Sequence, residues 1–179
     1  MIYLFLAQGF EETEAIAPLD LLRRAGAQVK TVGVGGKKIT GSHGIEVTAD
    51  LEDGQVTLQN AEMVILPGGM PGTNNLEQSP VVSAAISYCA ENGKKVAAIC
   101  AAPSILGHMG LLSGHRAVCF PGFEKDLTGA EVTVEPVCAS GNFITARGAG
   151  VAVPFGLKLV EVMFGKQKSD EIKEKVQCV

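Results

Sequence analysis

Short runs dominated by apolar and β-branched residues, at Ile2–Ala7, Val29–Val34, Met63–Leu66 and Val96–Ile99, most constrain how this chain folds. Each has the length of a strand, and the stretches between them carry helical periodicity. Ile16, Leu19 and Leu22 lie on one side of a helix predicted over Glu14–Ala25, with Gly26 as its stop and Pro18 as a source of irregularity. Val81, Val82, Ala85, Ile86 and Cys89 form a second stripe, closed by Asn92-Gly93. A short helix is expected from Pro103 to about Met109, and a final long one from about Val151 to Phe164. Lys37–Thr40 and Ile45–Thr48 flank Gly41-Ser42-His43-Gly44 as a hairpin-like excursion. Arg116–Cys119 reads as a further strand, and Val132–Val137 pairs with Phe143–Ala146 around Ser140-Gly141-Asn142. Strands alternating with helices imply right-handed βαβ units. The expected fold class is α/β, a doubly wound and mostly parallel sheet with helices on both faces.

Length and charge narrow the function classes. The 179 residues suit one domain spanning 1–179, and 46% hydrophobic content suits central strands covered on both sides. No apolar run approaches a membrane span, and the start lacks a basic region before Ile2–Ala7, so a cytoplasmic protein with no membrane partner is expected. A net charge of −4 argues against a general nucleic-acid surface. The one basic cluster, Lys166–Lys175, is interleaved with acids and reads as a solvated terminal helix. Five cysteines with no close pair suggest neither a disulfide framework nor a zinc site.

In a doubly wound sheet the functional crevice lies beyond the carboxyl ends of the strands. Gly9–Glu14, Pro67–Gly72 and Cys100–Pro103 all fall at such ends. Cys100 follows a strand and precedes a helix with Pro103 in its first turn, which is the layout of a nucleophile elbow carrying cysteine. Free backbone N–H groups and the helix start favour thiolate there. The alternative is a buried structural thiol, and the elbow context weighs against it. Glu14 is either a solvated charge at a helix start or a crevice carboxyl whose pKa rises by desolvation, placed to pass protons. Pro67-Gly68-Gly69 is either a tight turn or a close backbone approach in which the Gly69 and Ala101 N–H groups form an oxyanion hole. No Gly-Lys-Ser/Thr follows, which excludes a Walker-type phosphate loop. His43, His108 and His115 read as surface histidines, and Cys119 falls near the site at a strand end.

Taken together, Gly9-Phe10-Glu11-Glu12-Thr13-Glu14, Leu66-Pro67-Gly68-Gly69 with Gly72-Thr73-Asn74-Asn75-Leu76, Ala98-Ile99-Cys100-Ala101-Ala102-Pro103 and Thr145-Ala146-Arg147-Gly148 resemble the ThiJ/PfpI superfamily, in its DJ-one branch. The match spans nearly the whole chain. It implies a flavodoxin-like fold, a homodimer, and Cys100 as an oxidisable nucleophile hydrogen-bonded by Glu14. It also implies that Gly69 and Ala101 supply donors beside the sulfur, with Gly68 next to them. By the same resemblance Arg24 lies near the dimer interface and the site, and Arg147-Gly148 near the crevice. The implied activity is cofactor-free and metal-free processing of small reactive carbonyls, or of glycated protein or nucleotide adducts, in carbonyl or oxidative stress. Redox sensing or chaperoning through Cys100 oxidation is the alternative. Many relatives have a histidine where this chain has Phe120, so a Cys–His peptidase or amidase is disfavoured and Phe120 walls the pocket.

Overall fold

The computed structural model describes residues 1–178. Its elements run β1 (Ile2–Leu6), α1 (Glu12–Arg24), β2 (Val29–Gly33), β3 (Lys38–Thr40), β4 (Glu46–Thr48), β5 (Leu51–Glu52), β6 (Met63–Leu66), α2 (Gly72–Glu77) and α3 (Pro80–Glu91). They continue through β7 (Lys95–Ile99), α4 (Pro103–His108), β8 (Arg116–Ala117), β9 (Glu131–Val132), β10 (Val137–Ser140), β11 (Phe143–Ala146), α5 (Ala152–Phe164) and α6 (Lys166–Lys175). Seven strands make one sheet in the order β10-β11-β7-β6-β1-β2-β5, parallel except for β10. This is the doubly wound, flavodoxin-like α/β arrangement.

The strand pleat explains why both faces are covered. Successive side chains of β1 point to opposite faces. Ile2, Leu4 and Leu6 enter a core with Leu22 of α1, Phe155 of α5 and Ile172 of α6. Tyr3 and Phe5 enter a second core with Ile86 of α3 and Ile105 of α4. A strand buried on both faces cannot show hydrophobic alternation, which is why β1, β6 and β7 read as continuous runs. Phe155 is fully buried, and its truncation to Ala would cost about 3–5 kcal/mol.

Several boundaries differ from the sequence reading. Helix α1 starts two residues earlier than expected, because the Glu11 side chain accepts from the Glu14 N–H (2.7 Å) and caps it. It runs through Pro18 without a break. The strand expected over Arg116–Cys119 shrinks to Arg116–Ala117 and pairs with β9 outside the main sheet. The Val118 N–H turns instead to Thr145 Oγ1 at 3.0 Å. The strand expected over Val132–Val137 is split, and the partner of β11 is Val137–Ser140. Pro136 has no N–H to give to a ladder, so the pairing starts after it. Helix α2 was not foreseen in its Gly- and Asn-rich sequence. A local bond from Thr73 Oγ1 to Gly69 O (3.0 Å) and a tertiary one from Asn75 Nδ2 to Gln8 O (2.8 Å) help to hold it. The Lys38–Thr40 and Glu46–Thr48 hairpin forms as expected. Among the described residues, no helix is long and apolar enough to cross a membrane.

Candidate active site

Three chain segments converge beyond the carboxyl ends of β1, β6 and β7. Strand β7 delivers Cys100 into a turn where its φ is +66°, a left-handed conformation that costs a non-glycine residue strain and persists only when its surroundings impose it. Two backbone bonds impose it: the Cys100 N–H donates to Ala146 O (2.9 Å), and Cys100 O accepts from the Phe120 N–H (2.8 Å). The sulfur-bearing residue is half-buried, whereas Cys89, Cys119 and Cys138 are buried.

Helix α1 brings Glu14 to this turn, 1% exposed. Its Oε2 accepts from the Gly68 N–H at 2.9 Å. Gly68 fits between carboxyl and thiol only because it lacks a side chain: a Cβ there would stand 2.6 Å from Cys100 Cβ and 2.7 Å from Glu14 Oε2. Gly69 has a φ of +89°, and a Cβ on it would meet the Glu11 nitrogen at 2.4 Å. Glycine at both positions is therefore what lets the β6 turn approach the elbow. The Glu14 Oε1 atom is buried and has no hydrogen-bond partner of good geometry.

Burial dominates the electrostatics. It pushes the Glu14 carboxyl up to about 7, assisted by the nearby Glu11 charge and opposed by the Cys100 thiol and the Gly68 and Ala149 N–H groups. Burial also pushes the Cys100 thiol up to about 12, and the charge of Glu14 adds to the rise. The Ala101 and Gly69 N–H groups act in the opposite direction. The elbow donors are thus present, but they do not by themselves make a low-pKa thiol while Glu14 is ionised. Each charge disfavours the other, so the pair carries at most one negative charge near neutral pH. Thiolate appears as the partner of a protonated Glu14.

The structure brings together Cys100, Glu14, Gly68, Gly69, Ala101, Phe120, Arg147 and Gly148. Phe120 is 47% exposed at the rim, and a Cβ on Gly148 would lie 3.1 Å from its ring and 3.8 Å from Glu14 Oε1. Arg24 is not brought in. It ends α1, pairs with Asp20 at 2.7 Å, and lies ten residues from Glu14, about 15 Å along the helix. None of the histidines supplies an imidazole to the sulfur. His43 bonds Glu12 (3.0 Å), His108 bonds Glu77 (2.6 Å), and His115 packs edge-on against Phe143.

One cluster escaped sequence reasoning. Glu12 is 6% exposed, and its Oε1 accepts from the His43 N–H at 2.8 Å. The ligand atoms of Glu11, Glu12 and His43 lie within 4.8 Å of one another, a spacing that a metal ion tolerates. The Glu12 oxygens are nevertheless spent on the hairpin turn, through the His43 N–H, His43 Nδ1 and Ser42 Oγ. Nothing in the sequence marks this pairing, because its partners are 31 residues apart.

With that geometry established, the comparisons are decisive for kinship. A family model described as the DJ-1/PfpI family matches residues 1–162. The chain belongs to the DJ-1/PfpI family. It is 36% identical over 170 residues to protein dj-1beta of Drosophila melanogaster, covering 93% of this chain and 91% of that one. It is 30% identical over 164 residues to a Caenorhabditis elegans protein named glutathione-independent glyoxalase DJR-1.2, covering 90% of this chain and 87% of the relative. The solved structure of oxidized Toxoplasma gondii DJ-1 superposes with a TM-score of 0.94 at 32% identity, covering 98% of this chain and 97% of that one.

Proposed function

We propose that this DJ-1/PfpI family member converts small 2-oxoaldehydes to 2-hydroxy acids through Cys100 and Glu14. The observation that carries the reading is the approach of a buried carboxyl with a pKa of about 7 to a strained elbow thiol, with the Gly69 and Ala101 N–H groups beside the sulfur. A carboxyl that titrates near neutrality gives and takes protons at the working pH. The thiolate, formed with Glu14 protonated, adds to the aldehyde carbon, and Glu14 gives its proton to the resulting oxygen. The carboxylate then removes the former aldehyde hydrogen as a proton and returns it to the neighbouring carbon. This gives a 2-hydroxyacyl thioester, which water hydrolyses to the hydroxy acid and free thiol. Developing oxyanions would face the Gly69 and Ala101 N–H groups. The chemistry also suits early carbonyl adducts on protein or nucleotide amines and thiols. A homodimer in a cytoplasmic setting completes the proposal.

The support from kinship is the name of the C. elegans relative. Purified protein should form lactate from methylglyoxal without added glutathione or metal, and Cys100→Ser should abolish this. Retention of activity in that variant would overturn the mechanism.

A second reading, redox sensing, draws on the exposure of Cys100 relative to Cys89, Cys119 and Cys138, and on an oxidized state solved for the T. gondii relative. Mild hydroperoxide should then add two oxygens to Cys100 before any other cysteine, as read by intact mass and peptide mapping. Earlier oxidation at Cys119 or Cys178 would count against it.

A further inference from the structure

A groove of about 470 Å³ opens beside the Cys100 turn, walled by Phe120, Pro121, Pro136 and Val151, with Gly148 at its inner side and Arg147 on its rim. It is tied to the reacting residue through the backbone. Phe120 follows from its N–H bond to Cys100 O, and Arg147 directly follows Ala146, whose carbonyl holds the Cys100 N–H. The inner side reaches the proton carrier, since a Cβ on Gly148 would stand 3.8 Å from Glu14 Oε1. That oxygen is the one buried side-chain polar atom without a hydrogen-bond partner of good geometry among the described residues, and it lies behind the Gly148 backbone rather than open to the groove.

Arg147 is exposed, and among the described residues its guanidinium makes no ion pair or side-chain hydrogen bond. Neighbouring acids are committed elsewhere. Glu124, which shares a small adjoining cavity of about 80 Å³ with Arg147, accepts from the Gly122 N–H at 2.7 Å. Glu135 is bonded to Arg116 at 2.6 Å. A largely apolar groove thus carries one cation with a planar donor fork at its mouth, and the Glu14 carboxyl lies just behind Gly148 at its inner wall.

We propose that Arg147 is a specificity-determining residue that selects carbonyl substrates bearing a carboxylate or phosphate a few bonds from the carbonyl. The apolar walls hold the short carbon body, the guanidinium holds the anionic end, and the carbonyl end reaches Cys100 and Glu14. This rests on the proposed role of Cys100 as nucleophile, and it predicts that methylglyoxal, which is neutral, uses only part of the site.

The test separates the two ideas by using reagents that report on the thiol without requiring turnover. Iodoacetate and iodoacetamide alkylate a thiol by the same displacement of iodide, and they differ in charge. Their rates at Cys100, followed by peptide mass, should give an iodoacetate-to-iodoacetamide ratio that falls about fivefold in Arg147→Gln. Arg147→Lys should keep most of the ratio, high salt should lower it in the wild type and Arg147→Lys but not in Arg147→Gln, and iodoacetamide rates should stay equal in all three proteins. Turnover gives a second readout: kcat/KM for dioxovalerate, a 2-oxoaldehyde with a terminal carboxylate, should fall in Arg147→Gln while that for methylglyoxal does not. For a phosphate-bearing ligand, inorganic phosphate should slow iodoacetate labelling in the wild type and not in Arg147→Gln. Its failure to do so would restrict the anion to carboxylate. An unchanged ratio in Arg147→Gln with normal iodoacetamide labelling overturns the Arg147 proposal alone. Absence of labelling by either reagent overturns the nucleophile reading and this inference with it.

Discussion

Glu12 and Glu14 leave the same turn of α1 in opposite directions and meet opposite electrostatic fates. Two residues on a helix are separated by about 200° of rotation, so the two carboxyls serve different regions of the molecule. At Glu12, burial would raise the pKa, but the His43 ring, the His43 N–H and the Ile45 N–H reverse it and hold the carboxyl at about 2. At Glu14, burial wins and the carboxyl sits at about 7, because hydrogen bonds from the Cys100 thiol and the Gly68 and Ala149 N–H groups only partly offset it. The difference shows what turns a buried carboxylate into a structural clamp or a proton carrier. Two things decide: Glu14 lies deeper in the interior and suffers more desolvation, while Glu12 lies near the surface and accepts from more N–H groups.

The largest effect that would sharpen this contrast is on turnover. Glu14→Gln keeps the shape and removes the proton exchange, so methylglyoxal conversion should fall about 10²–10⁴-fold. Retained turnover would break the contrast at its functional end. Gly69→Ala comes next, with a loss of about 10²–10³-fold in kcat from a displaced backbone donor. Its thermal melt should show whether the strain at φ +89° also unsettles the fold.

On the clamp side the expected readout is stability. Glu12→Gln removes the charged acceptor of several hairpin bonds and should cost about 1–3 kcal/mol by urea unfolding, with turnover retained. The pH dependence of that cost follows from the lowered pKa. The Glu12 contribution is fully present above its ordinary value of 4.5 and is lost as pH falls toward 2, so Glu12→Gln should flatten the acid limb of the stability curve. Glu14 behaves in reverse. Its pKa is raised, so its contribution is present below 4.5 and lost as pH rises through about 7, a decline that Glu14→Gln should remove. The smallest effect belongs to His43→Ala. His43 is raised above its ordinary 6.5 by the Glu12 carboxylate, so the variant should lose a little stability below that pH and progressively less as pH rises through the raised value. Equal losses at both ends of the range would show that the imidazolium does not hold the clamp.

Much of the scaffold was legible in the sequence, and the failures have local causes. The runs that became β1, β6 and β7 were readable because burial on both faces demands continuous apolar sequence. The Cys100 elbow was readable because a strand, a turn and a Pro-led helix follow one another directly. Helix α2 was not, since its own residues favour a loop and its bonds come from Gln8 and Gly69, far away in the chain or outside the helix. The short β8 was over-read for a related reason: Val118 and Cys119 are apolar, but their burial comes from the crevice wall and the second core rather than from the main sheet. Arg24 was placed by resemblance alone, and within the single chain it lies at the far end of α1 from Glu14.

Sequence by itself determined the doubly wound α/β order, the thiol at the end of β7, the glycines that let another backbone approach it, and the lack of a histidine at position 120. These are local properties, set by periodicity and by which side chains a turn admits. Only the tertiary structure decided which of three neighbouring glutamates enters the crevice. Glu11 caps the helix, Glu12 locks the hairpin and Glu14 meets Cys100. That division depends on the rotational phase of α1 against the sheet, and also on the Gly68 turn and the His43 loop arriving from elsewhere. The protonation of the thiol was decided there too, because desolvation and the Glu14 charge outweigh the elbow amides that the local sequence places beside it.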